Sequence, residues 1–356
     1  MLTIHIRPHW EISVKGEPPL DTADLLGLLL AIQDTGSIAQ AAKSVKLSYR
    51  YAWGLLRAAE ELFGEQLLHT GRGRGTQLTP LAQKLVWADR RIAARLSPTL
   101  QSLASELEVE LGRISAGRTR PLRLDASHGF AVAALMGCVD RDALPVDSRY
   151  RTSTDAVMAL ARRDCDLAGF HVPIGRFQAP TVAWYLRWLD PEQHCLVRLA
   201  GREQGLIAAR NNPLGLRGLH DLVRQDVRFV NRQAGSGTRM LLEMMLADEG
   251  LAFDAINGFN SAEFTHSAVA AYIASGMADA GMGMRAASAQ FKLDFIPLVR
   301  ETYYFALRRD ALDGPAMQQL LGLMREPAYH RLVAALPGYD ATGTGEVLSI
   351  RDAFAL

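Results

Sequence analysis

Small hydroxyl and glycine residues precede predicted helices at four places in the second half of the chain. They are Ser127-His128-Gly129, Ser153-Thr154, Gly235-Ser236-Gly237-Thr238 and Thr265-His266. Each follows a predicted strand, so each helix would begin at the carboxyl end of that strand. A helix N-terminus offers unpaired backbone N–H groups and the positive end of the helix dipole. Several such ends facing one cleft predict a site for a small oxyanion or carboxylate, whereas ordinary capping is the alternative at any single one.

Arginine and histidine side chains accompany these helix starts. Arg232 and Arg239 flank the glycine-rich turn, and three histidines could donate hydrogen bonds to an anion. The spacing of the histidines matches no metal-ligand motif, so we predict neither a metal nor a cofactor, only a small anionic effector. The predicted ligand-binding residues are Ser127, His128, Ser153, Thr154, His171, Asn231, Arg232, Gly235, Ser236, Gly237, Thr238, Arg239, Thr265 and His266.

A different chemistry is indicated between Gly36 and Phe63. Two amphipathic helical patterns follow one another there, with Ser37 and Ser48 as their predicted N-caps and only Lys46-Leu47 between them. This is the pattern of a helix-turn-helix whose second helix lies in the DNA major groove. An ordinary αα-hairpin in a helical core is the alternative. The predicted DNA-binding residues are Lys43, Ser48, Tyr49, Arg50, Arg57, Arg72 and Arg74.

Basic residues concentrate in and after this stretch. Between Lys43 and Arg95 there are ten Lys/Arg and four Asp/Glu, although the net charge of the chain is only +1. The segment Gly71–Gly75, GRGRG, lies between two predicted strands, which is typical of a β-wing whose arginines contact phosphates or the minor groove. The alternative is a loop with no binding role. A basic module in a neutral chain favours an anionic polymer as the partner of that module.

Leucines follow the wing at helical spacing. After the helix start at Thr79-Pro80, apolar residues recur along one face at Leu85, Ile92, Leu96, Leu100, Leu103, Leu107 and Leu111. One apolar stripe on an otherwise polar helix predicts a dimerisation seam, because a lone helix has no other way to bury it. Pro98 is expected to kink or interrupt this helix.

The predicted elements give an α/β multidomain architecture. Residues 1–82 are expected to form the winged helix-turn-helix, including a hairpin made by Thr3–Arg7 and Trp10–Lys15, and 83–120 the linker helix. Strands alternate with helices from Pro121 onward, which predicts largely parallel pairing. The predicted strands include Leu196–Ala200, Leu206–Ala209, Phe295–Leu298 and Tyr303–Leu307. We expect two lobes in 121–340, with lobe I at about 121–203 and 302–340, lobe II at about 204–301, crossings near Arg202–Gly205 and Val299–Tyr303, and a tail at 341–356.

Composition excludes several classes of protein. No apolar run reaches the roughly 18–20 residues that span a bilayer, and the first residues show no signal-peptide core. The three scattered cysteines favour reduced thiols and a cytoplasmic location. The GSGTR segment lacks the lysine of a P-loop and the glycine spacing of a dinucleotide fingerprint, and no nucleophile–base pair is recognisable. We therefore do not expect an enzyme.

Longer segments resemble two known families. From about Ile6 to Val86 the chain is similar to the winged helix-turn-helix of ModE-type molybdate-dependent regulators, within the wider LysR-like group. The matching segments are TGSIAQAAK (Thr35–Lys43), SYRYAW (Ser48–Trp53) and GRGRGTQLTP (Gly71–Pro80). From Pro121 to about Tyr339 it resembles two-lobed (type II) periplasmic-binding-protein-like effector domains, through NRQAGSGTR (Asn231–Arg239), ADAGMGM (Ala278–Met284) and YYFALRRD (Tyr303–Asp310).

This combination implies a one-component transcriptional regulator. The expected partners are double-stranded operator DNA, a small anionic effector and a second copy of the chain, as a dimer or a tetramer. Molybdate or tungstate is the effector that the resemblance suggests, with formate or another small carboxylate as its rival and a pterin phosphate as a larger possibility. The alternative function is a small-molecule binding protein related to molybdenum cofactor, or an enzyme, that uses the helix-turn-helix only as a dimer scaffold.

Overall fold

Two compact units make up the chain in the computed structural model, which describes residues 3–14, 19–71, 75–116 and 120–356. One unit is Arg7–Ala93, and the other is Ala94–Leu356 together with the N-terminal residues through Ile6. The boundary between them falls inside a single long helix. Each unit has its own buried apolar core.

The smaller unit is mainly helical. Its core consists of leucines on its first helix that pack against alanines of the next two, which allows the helices to approach closely. Its elements are β1 (Glu11–Ile12), β2 (Leu20–Asp21), α1 (Thr22–Thr35), α2 (Ile38–Ser44), α3 (Tyr49–Phe63), β3 (Leu68–Gly71), β4 (Gly75–Leu78) and the first part of α4 (Pro80–Ala116).

Helices α2 and α3 form the predicted helix-turn-helix. Ser37 caps α2 by accepting from the Gln40 amide, and Ser48 caps α3 by accepting from the Tyr51 amide. Both caps are therefore confirmed. The short turn between the helices places Lys46 in the left-handed region, with φ of 60°.

The wing is built from β3 and β4, which pair antiparallel from Leu68↔Leu78 to Gly71↔Gly75. Gly36 ends α1 in the left-handed conformation, and its carbonyl accepts from the Thr76 amide at 2.8 Å. This bond fixes the wing against the end of α1. The tip arginines Arg72 and Arg74 lie outside the described residues, so their predicted DNA contacts stay predictions.

The predicted N-terminal hairpin is wrong. Glu11–Ile12 pairs antiparallel with Leu20–Asp21, and not with the segment before Pro8. The first residues belong instead to the larger unit, where the Ile4 amide donates to Glu108 Oε1 at 2.8 Å. Alternation of apolar and polar residues gave the strand pattern but not its partner, because a two-residue strand carries almost no register information.

The larger unit is an α/β structure. Short 3-10 helices occur at Leu219–Val223, Phe253–Ala255 and Arg309–Ala311. Its elements after α4 are β5 (Leu122–Ala126), α5 (Phe130–Cys138), β6 (Val146–Tyr150), α6 (Ser153–Ala161), β7 (Leu167–Pro173), α7 (Gln178–Tyr185), β8 (His194–Ala208), β9 (Phe229–Arg232), α8 (Gly237–Asp248), β10 (Ala262–Glu263), α9 (His266–Ala274), β11 (Ala280–Met284), α10 (Arg285–Gln290), β12 (Asp294–Arg308), α11 (Pro315–Arg325), α12 (Pro327–Ala334), β13 (Tyr339–Asp340), β14 (Val347–Ser349) and α13 (Ile350–Phe354).

A mixed sheet runs through this unit in the order β10-β9-β11-β8-β12-β7-β5-β6. We name lobe I the part with β5, β6 and β7, and lobe II the part with β9, β10 and β11. The long strands β8 and β12 pair with each other and pass from one lobe to the other. Apolar clusters lie on both faces of the sheet in each lobe. The predicted fold class, a winged helix-turn-helix followed by a long helix and a two-lobed α/β domain, is confirmed.

Three details of this unit differ from the prediction. The predicted strands Leu196–Ala200 and Leu206–Ala209 are one strand, β8, and Phe295–Leu298 and Tyr303–Leu307 are joined in β12. Register shifts between Pro297 and Val299 and between Tyr303 and Tyr304 let β12 continue through the crossing. The predicted tail is folded, since β14 pairs with β8 and Ile350 is fully buried.

Helix α4 is continuous through Pro98, so the predicted interruption is wrong, and the alternative, a kink, stays a prediction. A proline leaves the carbonyl four residues earlier without its helical partner. Here that carbonyl belongs to Ala94, and it accepts from the hydroxyl of Thr265 at 3.1 Å. Further along, the hydroxyls of Ser102 and Ser105 accept from amides of Tyr150 and Ser148 at 2.9 Å each. Tertiary hydrogen bonds to both lobes thus support the helix around its proline.

None of the helices in the described ranges is both long and apolar enough to cross a membrane. The three cysteines are free thiols, in agreement with the prediction of reduced thiols; Cys165 and Cys195 are buried and Cys138 is half-buried.

Candidate functional site

A small cavity lies between lobe I and lobe II. Its empty volume is about 330 Å³. Lobe I contributes the residues that follow β5 and β6 and one residue of β7, and lobe II contributes the end of β9 and the starts of α8 and α9. The lining residues are Ser127, His128, Arg151, Thr152, Ser153, His171, Arg232, Gln233, Ser236, Gly237, Thr238, Phe264 and His266.

Three capped helix N-termini meet at this cavity. Thr152 caps α6, Ser236 caps α8 and Thr265 caps α9, each by accepting from an amide three residues later. The cap of α6 is one residue earlier than predicted. The carboxyl ends of strands and the N-termini of the following helices thus surround one crevice, as in other open α/β sheets that bind ligands.

Arg232, the last residue of β9, is the buried cation of this cavity, whereas Arg151, which also lines it, is partly exposed and pairs with Asp125 at 2.8 Å. Arg232 is only 6% exposed. Its Nη2 donates to the Phe264 carbonyl at 2.7 Å, but within the described part of the chain Nε and Nη1 have no hydrogen-bond partner. Burial, and next the charge of Arg202, lower the pKa of the Arg232 guanidinium to about 9. A buried charge without a counter-ion is costly, and an anionic ligand would offset that cost.

A second buried arginine shows the contrasting arrangement. Arg202 on β8 donates from Nε to Glu301 Oε1 on β12. The other oxygen, Oε2, accepts from Gln204 Nε2 at 2.6 Å and lies 2.8 Å from His171 Nδ1. Burial opposes ionisation of Glu301, but Arg202 and His171 outweigh it and lower the pKa to about 2. The charges of Arg202 and Glu301 therefore cancel. With Arg232 included, these three buried residues have a net charge of one positive unit.

Sequence reasoning missed Arg202, Gln204 and Glu301. A signal was available, because Arg202 and Gln204 interrupt an apolar run at one predicted crossing and Glu301 lies at the other. Charged residues at facing positions of two otherwise buried strands favour an ion pair. The structure places Arg202 directly opposite Glu301 in the register of β8 and β12.

All three predicted histidines reach the cavity, and their environments favour the neutral form. Burial and Arg232 lower the pKa of His128 to about 4. Burial, Arg232 and Arg202 lower the pKa of His266 well below its ordinary value. Burial also lowers the pKa of His171, although Glu301 partly offsets the effect. The neutral imidazoles of His128 and His266 can each donate one N–H to a ligand.

The other predicted ligand residues divide into two groups. Ser127, Ser153, Ser236, Gly237 and Thr238 line the cavity.

Five predicted residues do not line it, and for four of them a contact accounts for the side chain. Asn231 donates to the Phe259 carbonyl, and Thr154 accepts from Trp184. Arg239 pairs with Glu243 at 2.8 Å and stacks over Phe259, so it points away from the cleft. Thr265 bonds to Ala94. The fifth is Gly235, a left-handed turn residue.

Gly237, the first residue of α8, lies directly against His171 of lobe I. A Cβ at Gly237 would lie 2.6 Å from Cε1 and 2.8 Å from Nε2 of that imidazole. Real Cβ atoms do not approach so closely, so the absence of a side chain lets the two lobes meet at this point.

The exposed face of α3 is a separate candidate site. Tyr49 and Trp53 stack with ring centroids 6.3 Å apart, and the Arg57 guanidinium lies 5.3 Å from the Trp53 ring. These three residues, four apart, form one row along the helix. Trp53 is 41% exposed, so it belongs to this face rather than to the helix support. Lys43, Ser48 and Arg50 are also exposed, in line with the predicted DNA-facing side.

Comparison with known families assigns both units. The family described as PBP superfamily domain matches residues 139–325, more than half of the chain. The family described as bacterial regulatory helix-turn-helix protein, lysR family, matches residues 23–83. The two matches correspond to the units whose resemblance was stated from the sequence, and that resemblance is confirmed.

Curated relatives match parts of the chain. The uncharacterized protein YvgK of Bacillus subtilis is 30% identical over 203 residues, which are 56% of this chain and 64% of YvgK. The molybdenum-pterin-binding protein MopB of Rhodobacter capsulatus is 30% identical over 40% of this chain and 53% of its own length. The transcriptional regulator ModE of Haemophilus influenzae is 46% identical over 63 residues, 17% of this chain and 25% of its own. The chain thus spans between a quarter and two thirds of these relatives.

A solved structure also matches over most of the chain. OxyR of Corynebacterium glutamicum, as its C206 mutant, is 16% identical with a TM-score of 0.42, covering 87% of this chain and 93% of its own. Assignment rests on the family matches. The chain belongs to the PBP superfamily and carries, at residues 23–83, a regulatory helix-turn-helix domain of the LysR family.

Proposed function

We propose that this protein is a ligand-responsive transcriptional regulator that binds operator DNA through its helix-turn-helix and a small anion in the cleft between its lobes. The observation that carries the ligand half is Arg232, a buried cation with two guanidinium nitrogens, Nε and Nη1, that donate to no described residue. The LysR-family match and the exposed row on α3 support the DNA half.

A tetrahedral oxyanion such as molybdate or tungstate is the preferred effector, and formate or another small carboxylate is the rival. The cavity is small and lined by hydroxyls, helix N-termini and imidazoles, which suits a compact anion rather than a pterin phosphate. The names of ModE and MopB, a transcriptional regulator and a molybdenum-pterin-binding protein, add weight to a molybdenum-related ligand.

The structure offers a route from the cleft to the long helix. An anion that contacts residues of both lobes binds the closed form more tightly than the open form. The ratio of these two affinities sets how far the anion shifts the population toward the closed form. Helix α4 bonds to lobe II through Ala94 and Thr265 and to lobe I through Ser102 and Ser105. A change in the angle between the lobes therefore acts on α4, which continues into the DNA-binding unit.

Dimerisation through α4 completes the proposal. Leu96, Leu103 and Leu107 are each at least 40% exposed and lie on one side of the helix. A second copy would bury them, and a two-fold dimer would present two α3 helices to a two-fold related operator.

Thermal unfolding in the presence of molybdate, tungstate and formate tests the ligand half. A ligand at about 100 times its Kd stabilises the folded state by about 2.7 kcal/mol, which raises the melting temperature. Arg232→Gln should abolish that rise. Arg239→Gln is the matched control, since Arg239 is close in sequence but turned away from the cleft.

DNA binding is measured in the presence and in the absence of the same anions. Operator fragments selected from random duplexes by the wild-type protein should change affinity when the anion that raises the melting temperature is added. A protein that selects no sequence, or whose Arg232→Gln variant keeps the full thermal response, would contradict the proposal.

A further inference from the structure

His171 occupies the point where the lobes meet. Its Nδ1 lies 2.8 Å from Glu301 Oε2, and its Nε2 and Cε1 edge faces Gly237 at the N-terminus of α8. One nitrogen is thus anchored on a carboxylate, and the other is directed toward the end of a helix that borders the cavity.

This geometry fixes the tautomer. Arg202 and Gln204 also donate to Glu301, so the carboxylate is ionised and Nδ1 of His171 carries the proton that it donates. In the neutral ring, Nε2 is then an acceptor with a lone pair. A lone pair opposes an anion at the start of α8. Only the doubly protonated ring offers an N–H to the anion from Nε2.

Charge balance points the same way. Arg202 and Glu301 neutralise each other, and so do Arg151 at the cavity and Asp125, which pair at 2.8 Å. Arg232 then provides one positive charge. When His171 is protonated, the cavity offers two positive charges to a ligand. A ligand with two negative charges matches that total, whereas a singly charged ligand matches the cavity with His171 neutral.

We propose that the cleft binds a doubly charged tetrahedral oxyanion together with one proton, which is taken up by Nε2 of His171. The inference rests on the proposed anion-binding function and adds the charge of the ligand and the residue that selects it. Without the anion, burial and the two arginines keep the pKa of His171 below its ordinary value, so the ring is neutral near pH 7.

Other charged or titratable groups surround this imidazole and set the direction of the effect. The positive charges of Arg202 and Arg232 disfavour protonation, and the Glu301 carboxylate favours it. A dianion beside Arg232 reverses the sign of the local potential. The remaining neighbouring groups stay neutral through this range because burial shifts their pKa values away from it; they are Tyr185 on α7, Tyr303 on β12, His128 after β5 and His266 on α9.

Tungstate and perrhenate form a matched pair of probes, because both are tetrahedral oxyanions of similar size and they carry two charges and one. Uptake of one proton predicts that tungstate binds roughly tenfold more tightly for each pH unit that the solution is lowered between about pH 8.5 and pH 7. Perrhenate affinity should change less than about twofold over the same range. Titration calorimetry in buffers of different ionisation enthalpy should give about one proton per tungstate and none for perrhenate.

His171→Gln keeps an amide near the position of Nε2 but cannot titrate. The variant should lose the pH dependence of tungstate binding and most of the preference for tungstate over perrhenate. His220→Gln is the control, because His220 is an exposed residue paired with Glu249 outside the cavity. That variant should bind both anions as the wild type does.

The outcomes separate this inference from the function on which it rests. Tungstate binding that is independent of pH, or a pH dependence that survives in His171→Gln, overturns the proton uptake and leaves anion binding intact. If the wild-type protein binds neither anion at millimolar concentration, the anion-binding function and this inference both fail. The wild-type calorimetry decides the question even if His171→Gln does not fold.

Discussion

The exposed face of α3 and the cleft between the lobes both gather arginine and aromatic or imidazole side chains, but they hold them under opposite conditions. Tyr49 and Trp53 are 55% and 41% exposed, and they lie on consecutive turns of one helix. Arg232 and His266 are 6% and 4% exposed, and they come from different elements of the sheet and its helices.

The two regions therefore differ in how strongly their functional side chains affect the free energy of unfolding. Side chains on the exposed face of α3 remain solvated, so they neither stabilise nor destabilise the folded unit by much. In the cleft, folding must bury an arginine without a counter-ion and three histidines in neutral form. A bound anion would relieve that cost, so the proposed ligand binding would be coupled to stability in the cleft, whereas DNA binding through α3 would not.

Removing the counter-charge of Arg202 should have the largest effect. In Glu301→Gln both buried arginines lack a carboxylate, and breaking a buried ion pair from one side lowers the free energy of unfolding by about 3–5 kcal/mol. Denaturant unfolding of the anion-free protein measures this loss. Added oxyanion should restore more stability to the variant than to the wild type, because it then neutralises a larger positive charge.

An exposed ion pair supplies the control. Glu192 pairs with Arg351 at 2.9 Å, and Glu192 is 75% exposed at its side chain. Glu192→Gln should change the free energy of unfolding by no more than about 1 kcal/mol. Equal losses in the two variants would show that the cleft charges are solvated and would remove the contrast between the regions.

Arg50→Ala examines the other side of the contrast. Arg50 is exposed at the first turn of α3. If it contacts a base, its loss should weaken binding to the selected operator by about 1–3 kcal/mol and relax the sequence preference at one position. The free energy of unfolding of Arg50→Ala should stay within about 0.5 kcal/mol of the wild-type value, as expected of a surface substitution.

Fluorescence anisotropy with the selected duplex measures this change, and Arg162→Ala, a substitution on the exposed side of the larger unit, is the control. Retained affinity and preference in Arg50→Ala would assign the operator contacts to another part of α3.

Local sequence patterns were sufficient for the DNA-binding unit and for the order of elements. Ser37 and Ser48 cap the helices that they were predicted to cap, since a cap depends on residues within one turn. The wing also formed where glycines and flanking strands indicated it. The N-terminal hairpin failed because pairing of two-residue strands is decided by tertiary contacts.

The cleft could be predicted only in part, and the reason is physical. Helix starts and histidines were visible as local features, and Ser127, His128, Ser153 and His266 do line the cavity. The sequence did not show which of two arginines, Arg232 or Arg239, enters the cavity. Arg232 ends a strand and faces inward, whereas Arg239 lies two residues into α8 and finds Glu243 one turn further on. The Arg202–Glu301 pair depends on the register between two strands about a hundred residues apart in sequence, which no local pattern encodes.

Thr265→Val should have a small effect on stability and a specific effect on signalling. The Thr265 hydroxyl accepts from the Ala268 amide and donates to the Ala94 carbonyl that Pro98 leaves free. Loss of the cap lowers the free energy of unfolding by about 1 kcal/mol. Ser349→Ala, which removes the cap of α13 but no bond to α4, should cost a similar amount.

The two variants should differ in coupling between the sites. Thr265 connects lobe II to α4 but does not line the cavity, so Thr265→Val should bind the anion with an affinity within about threefold of the wild type. The variant should show a smaller change in operator affinity when the anion is added. This is a loss of part of the coupling free energy, which is about 1–3 kcal/mol for typical allosteric sites. Ser349→Ala should keep the full change. Anisotropy titrations with and without anion measure it, and an undiminished response in Thr265→Val would mean that the anion signal reaches the DNA-binding unit without this contact between cleft and helix.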